Sequence, residues 1–217
     1  MSKKIKKFLI EKKLEDPWDI VDIFEKKVSS FCGSKYGVAV DCCTNAIFLS
    51  LKYLNKKKII ELPENTYISV LSAINLANLK FKLKKINWNG YYYLKPFLII
   101  DSATKFTKKM YIKKTFTCLS FHHRKHIAIG RGGMILTDSL KAYKWFKKAR
   151  YDGRDLNVPY EKDNIKSIGW HMYMTPEQAL IGIDKLNKFK DRNKILGSSN
   201  TYKSINRTSK YYLKEKN

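Results

Sequence analysis

The chain is expected to fold as an α/β protein, a three-layer sandwich whose mostly parallel sheet carries helices on both faces. Three observations in its 217 residues point there. Short apolar strand patterns alternate with helical ones, as in a sheet built from strand-helix-strand units. The run PFLIID is apolar on both faces and ends in an acid, the pattern of a central strand reaching its carboxyl end. A turn, DCCT, joins the strand YGVAV to the helix NAIFLSLKYL, a strand, tight turn, helix unit.

Taken in order, Asp16-Pro17 before WDIVDIFEKKVSSF supplies an acid, a proline near the first turn and apolar residues at helical spacing. That helix should reach Cys32 and stop at Gly33. After YGVAV, Thr44 is placed to cap the next helix. KIIEL then reads as a strand, TYISVLSAINLANL as a helix and KFKLKKINW as a strand. PFLIID, FTCLSF and GMILTD are further strands, the last two separated by the loop HHRKHIAIGRG. KAYKWFKKAR and TPEQALIGIDKLNKF are helices, the second with Thr175 as cap and Pro176 at its first position. Residues 1–196 are therefore expected to form one compact domain, and residues 197–217 a polar, Lys-rich tail, mobile or dependent on a partner.

Composition narrows the classes. With 44% hydrophobic and 29% charged residues the chain suits neither a membrane-spanning nor a disordered protein. The basic start has only a three-residue apolar stretch, Phe8 to Ile10, and no small-residue cleavage site follows, so a cytoplasmic location is expected. A net charge of +25 invites nucleic acid, yet only six of the 44 basic residues are Arg and the Lys residues are spread along the whole chain. That distribution argues against a nucleic-acid partner. The four cysteines show no metal-site spacing and are read as reduced thiols.

In an open α/β sheet, ligands lie beyond the carboxyl ends of the strands. One such end delivers Cys42, Cys43 and Thr44 to a helix start, where free amides favour a phosphate. Another delivers Glu64, Asn65, Thr66 and Tyr67, and Tyr67 is suited to lie on a planar ring. Asp101 ends the most apolar strand, suitably for pairing with a protonated ring nitrogen. Read alone, Thr44 is more simply a helix cap, and for Asp101 an ordinary strand-end cap stands level with the functional reading. Lys125 lies five residues beyond Ser120, in a segment holding Gly130, Gly132 and Gly133.

FEKKVSSFCGSKYGVAV, CCTNA, PENTY, IIDSA, CLSFHHRK and GRGGMILTD occur in the order in which similar motifs occur in the DegT/DnrJ/EryC1/StrS sugar aminotransferase family. The chain resembles that family over roughly residues 17–193, most specifically in SFHHRKHIAIGRGG. The resemblance implies the large domain of a fold type I transferase dependent on pyridoxal 5'-phosphate (PLP), shortened by most of a C-terminal small domain. It implies that Lys125 is the catalytic lysine, holding PLP as an imine. Asp101 would meet the pyridine nitrogen, Tyr67 would stack on the ring, and Thr44 with Ser120 would hold the phosphate.

The same resemblance implies an amino donor, glutamate by expectation, an anionic keto acceptor of the nucleotide-linked sugar class, and a homodimer with its site at the subunit interface. Four positions depart from the family pattern. Cys43 stands where glycine is usual, Thr104 where glutamine contacts the cofactor's phenolic oxygen, Arg131 where glutamate precedes Gly-Gly, and His171 where asparagine reaches the partner's phosphate. The short stretch between INW and PFLIID implies a lost strand and substrate wall. A PLP enzyme of another reaction type and a non-catalytic binding or scaffold descendant are the alternatives.

Overall fold

The computed structural model describes residues 1–209, and the alternating sequence patterns emerge in it as seven strands and seven α-helices. Their order is α1 (Lys3–Lys12), α2 (Asp19–Cys32), β1 (Tyr36–Val40), α3 (Cys43–Leu54), β2 (Ile60–Pro63), α4 (Ser69–Leu76) and β3 (Phe81–Lys84). There follow β4 (Tyr92–Tyr93), β5 (Ile99–Asp101), β6 (Phe116–Ser120), β7 (Gly133–Thr137), α5 (Leu140–Ala149), α6 (Pro176–Asn187) and α7 (Ile205–Thr208). The basic start, which carried no helix in the sequence reading, forms α1 because Ile5 and Leu9, one turn apart, both bury against the body.

Five strands pair in the order β1-β7-β6-β5-β4, and β2 pairs with β3. β7 is antiparallel to both neighbours and β5 parallel to β6, so β1, β5 and β6 share one direction. β4 runs against β5, and an antiparallel bridge between Glu61 and Lys95 ties the end of its hairpin to β2. β2 and β3 thereby regain the common direction, leaving β4 and β7 reversed among the described strands.

Period-two alternation sorts the strands between two cores. Val38, Val40, Ile99, Cys118 and Ile135 pack with α3, α4 and α5, while Ala39, Leu119, Met134 and Leu136 pack with α1, α2 and α6. These strands are apolar on both sides because both sides are covered, which is the expected three-layer arrangement. A buried ion pair ties the layers together: Arg150 donates to Glu25 and to the Ala39 carbonyl, and Ala39 N donates back to Glu25 at 2.8 Å. No helix among the described residues is long and apolar enough to cross a membrane.

Helix limits follow their local signals with one exception. α2 ends at Gly33 in the left-handed region (φ 85°), and α6 opens with Thr175 and Gln178 capping reciprocally. α3 is capped by Cys42, whose sulfur accepts from Asn45 N at 3.4 Å, and not by Thr44. β1 ends at Val40, so the helix begins one residue before Thr44 and places it inside the first turn.

Two expectations about missing structure are corrected. The stretch expected to lack a strand supplies β4, because YYYL and LII flank a turn closed by Phe97 N donating to Leu94 O at 3.0 Å. The segment from Gly197, expected to be mobile, docks on the body as far as it is described. Gly90 N donates to Gly197 O at 2.9 Å, Ser199 N to Trp88 O at 3.0 Å and Ile205 N to Glu64 O at 2.9 Å. Ile205 is only 1% exposed and belongs to the core on the α3 side. Residues 210–217 of the expected tail lie outside the described residues.

Emptying the Ile205 site leaves a core cavity. Ile205→Ala should lower unfolding free energy by about 2–5 kcal/mol in urea, and exposed Lys203→Ala should change it by less than about 0.5 kcal/mol.

Candidate active site

The carboxyl ends of β1, β2, β5 and β6 converge on a cavity of about 320 Å³ that most of the singled-out residues line. Cys43 and Thr44 enter from the start of α3, Tyr67 from the turn before α4, Asp101 and Thr104 from the end of β5, and Ser120 and Lys125 from the end of β6 and its loop. His171 does not line it. Its side chain is 67% exposed and its Nδ1 lies 3.0 Å from Asp152 Oδ2.

Among the described residues Asp101 is the single acid lining the cavity, and it is 7% exposed. Its Oδ1 accepts Ala103 N at 2.9 Å and its Oδ2 accepts the Tyr92 hydroxyl at 2.7 Å. Burial pushes its carboxyl above the usual range, while the Tyr92 and Ala103 hydrogen bonds and the charge of Lys125 pull it down. The Cys43 sulfur lies 4.0 Å from Asp101 Oδ1, and burial followed by the Asp101 charge pushes that thiol up, so it stays protonated.

The lining also carries the cations Arg124, Lys125 and Arg131. Arg131, in place of the family's glutamate, donates to Asp41 Oδ2 at 2.6 Å beside the start of α3. Thr44 Oγ1 donates to Ser69 Oγ at 2.8 Å, which brings the first turns of α3 and α4 side by side. Amides at such ends favour an anion.

The turn at position 43 is tightly backed across the sheet. A Cβ on Gly133 would stand 2.4 Å from the Cys42 carbonyl carbon and 2.6 Å from Cys43 N, so β7 presses directly on the peptide of this turn.

Thr104, expected near the cofactor's phenolic oxygen, spends its hydroxyl elsewhere. Its Oγ1 donates to the carbonyls of Gly90 (2.9 Å) and Gly197 (3.2 Å), holding two wall segments together. Sequence reasoning missed Ser69, Trp88, Tyr92 and Tyr202 as lining residues. The turn Leu94-Lys95-Pro96-Phe97 between apolar runs was an available hairpin signal for Tyr92. Tyr202 left no local signal; it arrives with the docked C-terminal segment, where its carbonyl accepts Asn65 Nδ2 at 2.8 Å.

The sequence profile of the DegT/DnrJ/EryC1/StrS aminotransferase family matches residues 2–112 and 95–196. A comparison with curated proteins finds no match. Among solved structures, AtS13 from Actinomadura melliaura superposes with a TM-score of 0.66 at 15% identity, covering 77% of this chain and 59% of that one. PseC of Helicobacter pylori, an aminotransferase involved in the biosynthesis of pseudoaminic acid, gives 0.67 at 15% identity, with 87% and 63% covered. A PLP-dependent aminotransferase from Bacillus cereus gives 0.69 at 18% identity, with 85% and 62% covered. This chain thus spans 59–63% of the length of these structures, and the likeness establishes the fold.

Gly133→Ala is expected to push β7 off the Cys42–Cys43 peptide and cost at least about 1–3 kcal/mol. Urea unfolding measures it.

Proposed function

Because this chain belongs to the DegT/DnrJ/EryC1/StrS aminotransferase family, we propose that its cavity binds PLP and that it moves an amino group from an amino acid, glutamate by expectation, to a nucleotide-linked keto sugar. The observation that carries the reading is the placement of Lys125 and Asp101 in one cavity, near enough for the Lys125 charge to lower the Asp101 carboxyl.

The donor set suits PLP. The lining offers a buried acid for a ring N–H, and cations, hydroxyls and helix-start amides for a phosphate. Bound PLP supplies an electron sink for the bonds at the amino-bearing carbon. Asp101 holds negative charge at the nitrogen end. Ser120 and the hydrogen-bonded Thr44–Ser69 hydroxyl pair would face the phosphate, and Tyr67, 61% exposed, offers an aromatic face. Lys125 Nζ would anchor the cofactor, and as a free amine it would be the group in the lining placed to hold and pass on a proton. Arg124 and Arg131 favour an anionic acceptor by charge. Four free cysteines suit the reducing conditions of a cytoplasm.

A homodimer belongs to the same reading. His171 is exposed and does not line its own cavity, as a residue serving a neighbouring site would be.

The test is spectroscopic and chemical. Adding PLP should produce visible absorbance, borohydride should fix the cofactor on Lys125, and glutamate should discharge the band. Lys125→Ala should abolish fixation and lower transfer by about 10²–10⁴-fold. Cofactor bound without any transfer from a panel of amino acids would make the chain a binding protein instead. For the dimer, mixed subunits carrying Lys125→Ala or His171→Ala should recover transfer that neither variant shows alone; no recovery after subunit exchange would place His171 outside the shared site.

A further inference from the structure

Asp101 is buried at 7% exposure, and burial works against its ionised form. The titratable groups placed against it are Tyr92 on β4, Cys43 on α3, Cys118 on β6, Tyr202 in the C-terminal segment and Lys125 in the loop after β6. Of these, Tyr92 makes the 2.7 Å hydrogen bond to Oδ2, while the cysteines and Tyr202 add no positive charge. Tyr92 is 5% exposed, and its hydroxyl also contacts Thr66 Oγ1, which is 4% exposed.

Chemistry sets the direction of this chain. An ionised carboxylate only accepts, so Tyr92 donates to Asp101 and Thr66 donates to Tyr92. Register explains the meeting: Tyr92 and Asp101 are direct partners across the antiparallel pair, which puts their side chains on the same face. A phenylalanine at position 92 would fill the same space against Trp88, whose ring centroid lies 5.0 Å away. The hydroxyl is therefore dispensable for packing and matters for the carboxylate.

We propose that Tyr92 is a positioning residue which, backed by Thr66, keeps the Asp101 carboxylate ionised and oriented toward the cavity for a ring N–H donor. The inference rests on the reading of this cavity as a PLP site. With Ala103 N and the Cys43 thiol on Oδ1 and Tyr92 on Oδ2, three of about four lone-pair sites are used and one remains for the cofactor. Removing one donor from a buried carboxylate favours its protonated form. A neutral Asp101 holds a protonated pyridine less well.

The experiment compares the full chain with Tyr92→Phe, Thr66→Val and the double variant. PLP affinity is followed by tryptophan fluorescence across pH, and stability without cofactor by urea unfolding. Tyr92→Phe should weaken PLP binding by about tenfold or more and move the acid limb of binding to higher pH. Thr66→Val should act in the same direction but less, and the double variant should match Tyr92→Phe alone, because Thr66 acts through the Tyr92 hydroxyl. Unchanged PLP affinity and acid limb in Tyr92→Phe would overturn the proposal, as would lost stability without lost affinity. A wild-type chain that binds no PLP would instead remove the reading beneath it.

Discussion

A carboxylate at 7% exposure is costly unless donors surround it, and the structure beyond β5 is arranged around that requirement. Asp101 receives Ala103 N from its own turn and the Tyr92 hydroxyl from the facing strand. β4 is only two residues long, and those two residues include the one that meets Asp101. The same hairpin bridges onto β2 and so joins the β2-β3 pair to the larger sheet. One short strand therefore completes the sheet and solvates the buried charge.

The wall around this floor is made from segments far apart in the chain. Trp88 Nε1 donates to Asn65 O at 2.9 Å, and its ring lies 5.7 Å from that of Tyr202. Thr104 and the Gly90–Gly197 hydrogen bond hold the stretch after β3 to the stretch after α6. Each contact is modest, but together they satisfy main-chain groups that loops over a cavity would leave unpaired. Docking Ile205 into the core then anchors the end of the C-terminal segment by burial.

Local signals were readable wherever the physics is local. Gly33 and the Thr175-Pro176-Gln178 start mark helix ends because the caps act within a few residues. Strands apolar on both faces announced a covered sheet, and the two cores confirm it. Strand direction was less legible. Nothing in GMILTD distinguishes a strand that runs against its neighbours, because alternation is the same in either direction. The cap of α3 was misplaced by two residues, since where β1 ends is decided by its pairing with β7 and not by the turn residues alone.

At the site, the sequence determined which residues arrive at strand ends. Asp101, Lys125, Ser120, Tyr67 and Thr44 follow from strand patterns and from spacing within the chain, and the fold brings all of them to one cavity. Tertiary structure alone decided how Asp101 is solvated and what closes the cavity. Tyr92 meets Asp101 through strand register, Gly133 lets β7 press on the Cys42–Cys43 peptide, and Tyr202 arrives from more than one hundred residues downstream of Tyr92. The physical reason is range: caps, turns and alternation act between near neighbours, whereas desolvation of a charge is relieved by whichever donors the packed chain brings beside it.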